Sequence, residues 1–322
     1  MAILSLVAAV LLSVQTPNAP PPIIDMHLHA NGAADNGPPP VAVCTPLELP
    51  VWDQREEYGA VFLRFAKKPP CRDPVWSPAT DDALMRETIA AMERRNVIGV
   101  LSGSPERVAR WRKAAPGRFL PGLNFRLQPE YTPGQVRRLH GSGDLAVLAE
   151  VTTQYSGIAP NDPRLEPFWA LAEQLDLPVG IHVGTGPPGA IYLGDRNYRA
   201  RLHSALTLEE VLVRHPKLRL YIMHAGYPMI DDLLTLLYAH PQVHVELGAI
   251  IWSQPREAFY RYLQRIVEAG FGDRVMFGSD QMVWPGVIER SIKVIEDAPF
   301  LSEKQKRDIL YTNAARFLRL DP

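Results

Sequence analysis

Near its start the chain reads Ile24-Asp25-Met26-His27-Leu28-His29, in which an apolar run leads directly into two histidines two positions apart. The run Pro22–Met26 has the length and apolar character of a buried β-strand. Successive side chains of an extended chain point to opposite faces, so His27 and His29 face the same way. The first strand is therefore predicted to end in a pair of imidazoles that can hold one metal ion.

Three later apolar runs also lead to a histidine or an aspartate. These are Pro178–Ile181 before His182, Leu218–Met223 before His224, and Arg274–Phe277 before Asp280. Parallel α/β barrels carry their chemistry at the carboxyl ends of the strands. Imidazole and carboxylate ligands together suit zinc, iron or manganese. The five residues therefore predict one metal site; the alternative is four histidines with structural partners and an aspartate that caps a helix.

The rest of the chain alternates short apolar strands with amphipathic helices. Four further runs complete a set of eight strands: Val97–Leu101, Arg118–Phe125, Leu145–Ala149 and Gln242–Leu247. Such alternation predicts parallel pairing through right-handed crossovers. The ligands come from strands one, five, six and eight, and only a closed sheet brings strand one beside strand eight. We therefore predict an α/β fold, a (β/α)8 TIM-type barrel, with residues 20–322 as one domain.

The segment 31–80 is predicted to be a long loop insertion after strand one. It is rich in proline and holds both cysteines of the chain, Cys44 and Cys71. Loops of this length are often functional lids. Two cysteines in one loop of an exported protein predict a disulfide, whereas a cytosolic protein would keep two thiols.

The first residues, 1–19, are predicted to be a secretory signal peptide. Ala2–Val14 is an apolar run without charge, and it is shorter than the roughly 20 residues that a membrane span needs. No Lys or Arg precedes this run, so the alternative is the apolar start of a cytosolic enzyme. The expected location is the periplasm or the exterior of the cell.

Composition restricts the partners of the protein. The chain has 34 Lys and Arg against 35 Asp and Glu, a formal net charge of −1, and its basic residues are dispersed. This pattern argues against a nucleic-acid or other polyanionic partner. We expect a small-molecule substrate and no membrane span, and a homodimer is left open.

Glu150 decides how many metal ions the site holds. It follows strand four and shares a strand face with Leu148 and Ala146, so it points to the barrel axis if those two residues face inward. There a carboxylate can bridge two ions. The alternatives are a carboxylate that supports the ligands from behind, one that binds substrate, or a loop charge.

Five other residues near strand ends are candidates for substrate binding. Arg126 can pair with a substrate carboxylate, although a surface ion pair explains it equally well. His203 follows strand five and is predicted to reach the pocket. Three aromatic residues can wall the pocket or pack beneath loops: Tyr155, Trp252 and Trp284. Glu246, in strand seven, is interpreted as packing or hydrogen bonding inside the barrel.

The ligand pattern resembles the amidohydrolase superfamily, in particular its amidohydrolase-related group of metal-dependent barrels. Four further segments carry the resemblance: Asp162-Pro163-Arg164-Leu165, Leu177–His182, Arg274–Asp280 and Tyr311–Leu318. It extends over residues 22–320 apart from the insertion. The resemblance implies the barrel and a divalent metal, with zinc expected first and manganese or iron as alternatives. The group includes hydrolases, lactonases and nonoxidative decarboxylases, so it leaves the substrate open.

Two reactions and one non-catalytic role follow from this interpretation. In a hydrolase, an activated water attacks an ester, lactone or amide, Asp280 moves the proton, and His224 binds a second ion or stabilises the oxyanion. In a lyase, one ion chelates a carboxylated substrate that loses carbon dioxide, with His224 or Asp280 handling the proton. The third is a metal-binding barrel without turnover. We favour the hydrolase with two ions.

Overall fold

The computed structural model describes residues 20–184 and 186–320, so the predicted signal peptide, 1–19, lies outside the described residues. The strands are β1 (Ile23–His29), β2 (Ala42–Val43), β3 (Val75–Trp76), β4 (Val97–Ser102), β5 (Phe119–Pro121), β6 (Leu148–Val151), β7 (Val179–His182), β8 (Leu220–Met223), β9 (His244–Glu246) and β10 (Val275–Met276). The helices are α1 (Tyr58–Lys67), α2 (Asp81–Arg94), α3 (Pro105–Ala114), α4 (Pro133–Ser142), α5 (Glu166–Leu175), α6 (Glu209–Arg214), α7 (Ile230–Ala239), α8 (Ile250–Ser253), α9 (Arg256–Ile266), α10 (Gly286–Glu296), α11 (Glu303–Arg307) and α12 (Asn313–Leu318).

Eight of the described strands form the wall of a barrel. Parallel pairing runs through β1-β4-β5 in one arc and β6-β7-β8-β9-β10 in the other. The ladder is interrupted between the arcs, where a parallel bridge joins Phe125 to Val151 on one side. On the other side the Met26 N–H donates to the Phe277 carbonyl at 2.9 Å. The first barrel strand, β1, therefore lies beside the eighth, β10, and the predicted (β/α)8 fold is confirmed.

The inside of the barrel has an apolar floor and a polar mouth. The inner apolar cluster comprises Ile24, Met26, Val100, Leu120, Val147, Ala149, Tyr221, Met223 and Met276. Helix α12 closes the amino-terminal end of the barrel with Ala314 and Phe317, which belong to the same cluster. A larger outer cluster fills the layer between strands and helices. Most of the buried polar residues lie at or just after the carboxyl ends of the strands.

Strand β1 changes face just below the mouth. Ile24 and Met26 lie in the inner cluster, whereas Leu28 lies in the outer one. The cause is a register shift in the pairing with β4 between Asp25 and Leu28. Such a shift sends later side chains to the opposite face of the sheet. As a result His27 enters the barrel, although strict alternation from Met26 would point it outward.

A similar register shift places Glu150 at the mouth. Leu148 does not face inward as the expected alternation requires, because Leu148 packs in the outer cluster while Ala149 packs in the inner one. The pairing of β6 with β7 shifts between Leu148 and Val151. This irregularity, rather than simple alternation, brings Glu150 to the mouth.

The insertion is more ordered than a loop. It contains α1 and an antiparallel ribbon of β2 and β3. Helix α1 was missed because Glu57, at its start, makes no side-chain capping hydrogen bond, so the usual Ser, Thr or Asp signal is absent. Strands of two residues are too short to show alternation. Cys44 and Cys71 form the predicted disulfide, with their Cα atoms 5.9 Å apart.

Several barrel helices begin where the sequence offers a capping side chain. Ser104, just before Pro105, accepts a hydrogen bond from the Arg107 N–H, and Thr132 forms a capping box with Gln135. These caps satisfy N–H groups that lack partners within the helix.

Among the helices described in 20–184 and 186–320, none is long and apolar enough to cross a membrane.

Candidate metal centre

Residues from β1 and from the segment after β10 form the first group of candidate ligands. The Nε2 atoms of His27 and His29 lie 3.0 Å apart. Asp280 Oδ1 is 2.9 Å from His29 Nε2 and 3.6 Å from His27 Nε2. All three side chains are buried. Two imidazole nitrogens and a carboxylate oxygen that converge in this way suit a divalent transition metal.

Strands β6, β7 and β8 supply a second group, formed by Glu150, His182 and His224. His182 Nδ1 is 2.7 Å from Glu150 Oε1 and 2.9 Å from His224 Nε2. The three ligand atoms lie within 4.8 Å of one another, and all three residues are buried. The predicted ligands therefore do meet, but they meet as two groups of three.

The Glu150 carboxylate faces both groups. Its Oε1 is 3.6 Å from His224 Nε2 and 3.8 Å from His27 Nε2. Its Oε2 is 3.7 Å from His29 Nε2. One carboxylate between two sets of imidazoles is the arrangement expected of a bridging ligand.

The tautomers of two histidines support a cation at each position. His27 Nδ1 faces a carboxylate oxygen of Glu246 at 3.1 Å, and His224 Nδ1 faces the Gly248 carbonyl at 2.8 Å. Both partners only accept hydrogen bonds, so both Nδ1 atoms carry the proton. Nε2 of each ring therefore faces the carboxylates: His27 Nε2 lies 3.6 Å from Asp280 Oδ1, and His224 Nε2 lies 3.6 Å from Glu150 Oε1. Without a metal these carboxylates hold a proton on the facing imidazole, and a divalent cation would take the place of that proton, so the residues fit a metal.

The charges of the cluster also attract a cation. Burial raises the pKa of the Glu150 carboxyl, but the charge of His27 and hydrogen bonds from His182 and His224 hold it well below its usual value. Burial likewise opposes ionisation of Asp280, yet His27 and His29 lower its pKa to about 2. Burial lowers the pKa of His27, but Asp280, Glu246 and Glu150 raise it well above the ordinary value. Both carboxylates are ionised at neutral pH.

Two candidate ligands sit in strained backbone. His224 has a φ of 60° and Asp280 a φ of 50°, in the left-handed region. Residues other than glycine reach this region at a cost of order 1–3 kcal/mol, and such residues cluster at functional sites. A backbone hydrogen bond from the Asp280 N–H to the His27 carbonyl, 2.8 Å long, helps to hold one of them. The strain aims both side chains at the mouth.

The sequence interpretation gave no site role to three groups that support the ligands. Gln281 clamps the backbone of His29, accepting its N–H at 3.0 Å and donating to its carbonyl at 2.7 Å. Asp25 Oδ1 accepts the His27 N–H at 3.0 Å, and burial raises the pKa of this carboxyl to about 7. Glu246 contacts His27 directly. For Asp25 and Glu246 the sequence did contain a signal, because each is a carboxylate within an apolar strand and a buried charge needs a partner.

Of the five candidate substrate residues, Tyr155 and His203 lie beside the second ligand group, and Arg126 packs on Tyr155. The Tyr155 hydroxyl is 3.2 Å from His182 Nε2, and the His203 ring centre is 5.5 Å from that of His182. The Arg126 guanidinium lies 5.1 Å from the centre of the Tyr155 ring, and it also forms an ion pair with Asp195 at 3.5 Å, the alternative that the sequence left open. Burial, with the charges of His182 and His224, lowers the pKa of His203 to about 3, so its ring is neutral at pH 7.

The other two, Trp252 and Trp284, support loops near Asp280. The Trp252 indole N–H donates to the Ser279 carbonyl at 2.8 Å, and the Trp284 indole N–H donates to the Val41 carbonyl at 3.1 Å. The first bond joins α8 to the segment after β10, and the second joins that segment to the insertion. Substrate contact by the two rings stays a prediction.

Comparison with known proteins places this geometry in a family. A family model described as amidohydrolase, Amidohydro_2, matches residues 24–320. No curated protein matches the chain. A solved structure of an uncharacterized TIM-barrel protein from Bordetella bronchiseptica is 18% identical, with 93% of this chain and 99% of that chain covered and a TM-score of 0.64.

Two further structures share the fold. One is a probable 2-pyrone-4,6-dicarboxylic acid hydrolase from Acinetobacter baumannii, 17% identical, with 92% of this chain and 99% of that chain covered and a TM-score of 0.58. The other is a 5-carboxyvanillate decarboxylase from Novosphingobium aromaticivorans complexed with manganese, 16% identical, with 83% and 90% covered and a TM-score of 0.54. Because the family model spans nearly the whole described chain, the protein belongs to the amidohydrolase family of metal-dependent hydrolases and decarboxylases.

Proposed function

We propose that the protein is a hydrolase that uses two divalent metal ions to cleave an ester, lactone or amide bond. The position of Glu150 supports this most directly, since its oxygens lie 3.6 Å from His224 Nε2 and 3.7 Å from His29 Nε2. A carboxylate between two cations offsets their mutual repulsion, which a neutral imidazole does not. His27, His29 and Asp280 would hold one ion, His182 and His224 the other, and Glu150 both.

Bound divalent ions would polarise the scissile carbonyl and lower the pKa of water toward neutrality. Asp280 is the residue we assign to proton transfer. Its Oδ1 faces His29 Nε2 at 2.9 Å and would bind the ion, whereas its Oδ2 lies 3.9 Å from His224 Nδ1. We therefore assign Oδ2 to accept a proton from the attacking water, and the same carboxyl returns it to the leaving group.

Tyr155, His203 and Arg126 would form the substrate side of the centre. Burial and the charge of Glu150 raise the pKa of the Tyr155 hydroxyl well above its usual value, so this group keeps its proton and can donate to a substrate oxygen. The neutral ring of His203 can both donate and accept. Arg126, next to Tyr155, would pair with a carboxylate on the substrate.

Elemental analysis of the purified protein, coupled to a panel of lactones, esters, amides and aromatic carboxylic acids, tests the proposal. We expect two metal equivalents per chain, with zinc as the most abundant metal before manganese and iron. We also expect hydrolysis of a substrate without release of carbon dioxide. A single tightly bound ion per chain that saturating metal does not increase would contradict the two-metal hydrolase.

Nonoxidative decarboxylation is the second candidate, and Arg126 favours it. A guanidinium beside Tyr155 suits a carboxylated substrate, and one structure with this fold is a manganese-bound decarboxylase. Such a reaction needs only one ion, and His224 or Asp280 would supply the proton to the carbon that loses its carboxylate. Release of carbon dioxide from an aromatic acid in the same panel would select this reaction.

We also propose that the protein is exported. A disulfide between Cys44 and Cys71 is stable in an oxidising compartment and uncommon in the cytosol. Thiol titration of unreduced, denatured protein isolated from the periplasm should find no free thiol. Two free thiols in that material would contradict the assignment.

A further inference from the structure

Glu246 lies at the end of β9, beneath both ligand groups, and its side chain is 0% exposed. Its Oε2 accepts a hydrogen bond from His27 Nδ1 at 3.1 Å and from the backbone N–H of His224 at 3.4 Å. Its Oε1 accepts the backbone N–H of Gly248. A fully buried carboxylate thus contacts one histidine from each group.

The surrounding backbone leaves space for this carboxylate. A Cβ at Gly278 would lie 1.8 Å from Glu246 Oε1, and a Cβ at Gly248 would lie 2.5 Å from the same atom. Neither distance is compatible with a side chain. Two glycines, on the segments that follow β9 and β10, therefore form a cradle that leaves room for the Glu246 side chain beside His27.

Glu246 orients His27 directly. Because the carboxylate accepts the Nδ1 proton, Nε2 of His27 is the atom that faces His29 and Asp280. A carboxylate behind a ligating imidazole fixes the ring and raises its basicity toward a metal. The first ligand group therefore depends on Glu246 without including it.

Glu246 orients His224 through the backbone. It holds the N–H of His224 itself and the N–H of Gly248, and the carbonyl of Gly248 accepts His224 Nδ1 at 2.8 Å. His224 has a φ of 60°, a conformation that such contacts must stabilise. The second ligand group is thus tied to the same carboxylate.

We infer that Glu246 is a positioning residue that sets the affinity of both metal positions at once. This inference rests on the proposed two-metal function. The role of Glu246 is additional to that function, because Glu246 couples the two ligand groups from below, whereas Glu150 faces them from the side of the metals.

Metal titration of Glu246→Gln by calorimetry, with wild-type protein in parallel, tests the coupling. The variant keeps the volume and one acceptor oxygen but loses the negative charge. We expect the affinity for zinc to fall about 10–100-fold at both equivalents, as it does when a supporting carboxylate is lost. Circular dichroism should show an unchanged fold, and saturating zinc should still fill both positions.

Two controls make the result specific. Glu257→Gln is the same substitution on a side chain that is 92% exposed, and it should leave both affinities at the wild-type value. Phe317→Ala destabilises the barrel floor away from the ligands, and it should leave zinc affinity unchanged in the folded protein. If Glu246→Gln does not fold, Glu246→Asp withdraws the carboxylate by one methylene and should weaken both equivalents.

The outcomes separate the inference from the function on which it rests. Wild-type affinity at both equivalents in Glu246→Gln would overturn the positioning role and leave the two-metal hydrolase intact. Weakening of only one equivalent would overturn the coupling. Wild-type protein that binds no divalent ion, or only one, would instead overturn the proposed two-metal function, and this inference with it.

Discussion

The two ends of the barrel use the same eight described strands in opposite ways. The floor is apolar: Ile24, Tyr221 and Met276 meet Phe317 of α12, and the buried hydroxyl of Tyr221 donates to the Met26 carbonyl at 3.1 Å. The mouth holds buried imidazoles and carboxylates on backbone that is strained at His224 and elsewhere. Each end is held by a different kind of interaction.

This difference indicates a division between stability and function. Burial of apolar surface in the floor is worth about 25 cal/mol per Å² and offsets the cost of burying charge and strained backbone at the mouth. Substitutions at the mouth should therefore alter metal binding with modest effects on unfolding. Substitutions in the floor should do the reverse, and four experiments test how sharply the two ends separate.

The largest effect is expected when the mouth loses its strand-one ligands. In His27→Ala/His29→Ala the first ligand group keeps only Asp280, so activity should fall by more than the roughly 10–100-fold typical of losing a supporting group. Elemental analysis should find that the first position is empty. Full metal occupancy in this double variant would show that the two histidines are not ligands.

Glu150→Gln should remove one metal rather than two. The amide keeps the shape of the side chain but no longer neutralises a second cation, so about one equivalent and most activity should be lost. Elemental analysis of the dialysed variant measures this. If wild type holds one ion and the variant keeps it with reduced activity, Glu150 is assigned to substrate binding and the mononuclear decarboxylase is favoured.

Phe317→Ala should affect the floor alone. The ring packs 5.6 Å from that of Tyr221 and 4.8 Å from that of His244, and it is 4% exposed. Truncating a buried phenylalanine costs about 3–5 kcal/mol of unfolding free energy. Denaturant unfolding of the metal-free proteins measures the loss, and Tyr238→Ala, on a side chain that is 86% exposed, is the control. A loss of metal affinity in folded Phe317→Ala would contradict the separation.

The floor and the strand ends were predictable from local sequence. An apolar run followed by His182, His224 or Asp280 marks both where a strand lies and where it ends, and the need for closure then brings β1 beside β10. The barrel helices α3 and α4 likewise begin at local capping residues, Ser104 and Thr132. These signals lie within a few residues of the feature they predict.

The parts of the mouth that escaped prediction depend on distant partners. The register shifts that turn His27 and Glu150 inward arise from pairing with β4 and β7. The role of Glu246 depends on His27, which is 219 positions away. The indole N–H groups of Trp252 and Trp284 bind backbone carbonyls that no local pattern identifies. The residue type alone indicates that such a polar side chain is costly to bury, but its hydrogen-bond partner is known only from the fold.

The smallest effect is expected from a histidine at the floor, and it concerns pH. Burial lowers the pKa of His244 to about 4, and its ring packs on Phe317. The unfolded chain, with a pKa near 6.5, binds the proton more readily, so this residue lowers stability as pH falls from about 6.5 toward 4.

Replacing His244 by Gln should flatten the dependence of unfolding free energy on pH in that window, by about 1–2 kcal/mol between pH 6.5 and 5. Above pH 7 the imidazole is neutral in both states, so no pH-dependent difference between variant and wild type is expected there. Denaturant unfolding of metal-free protein at a series of pH values gives the two curves, with Tyr238→Phe as an exposed control. Parallel curves for His244→Gln and wild type would mean that acid sensitivity arises at the mouth alone, and that the floor contributes only apolar burial.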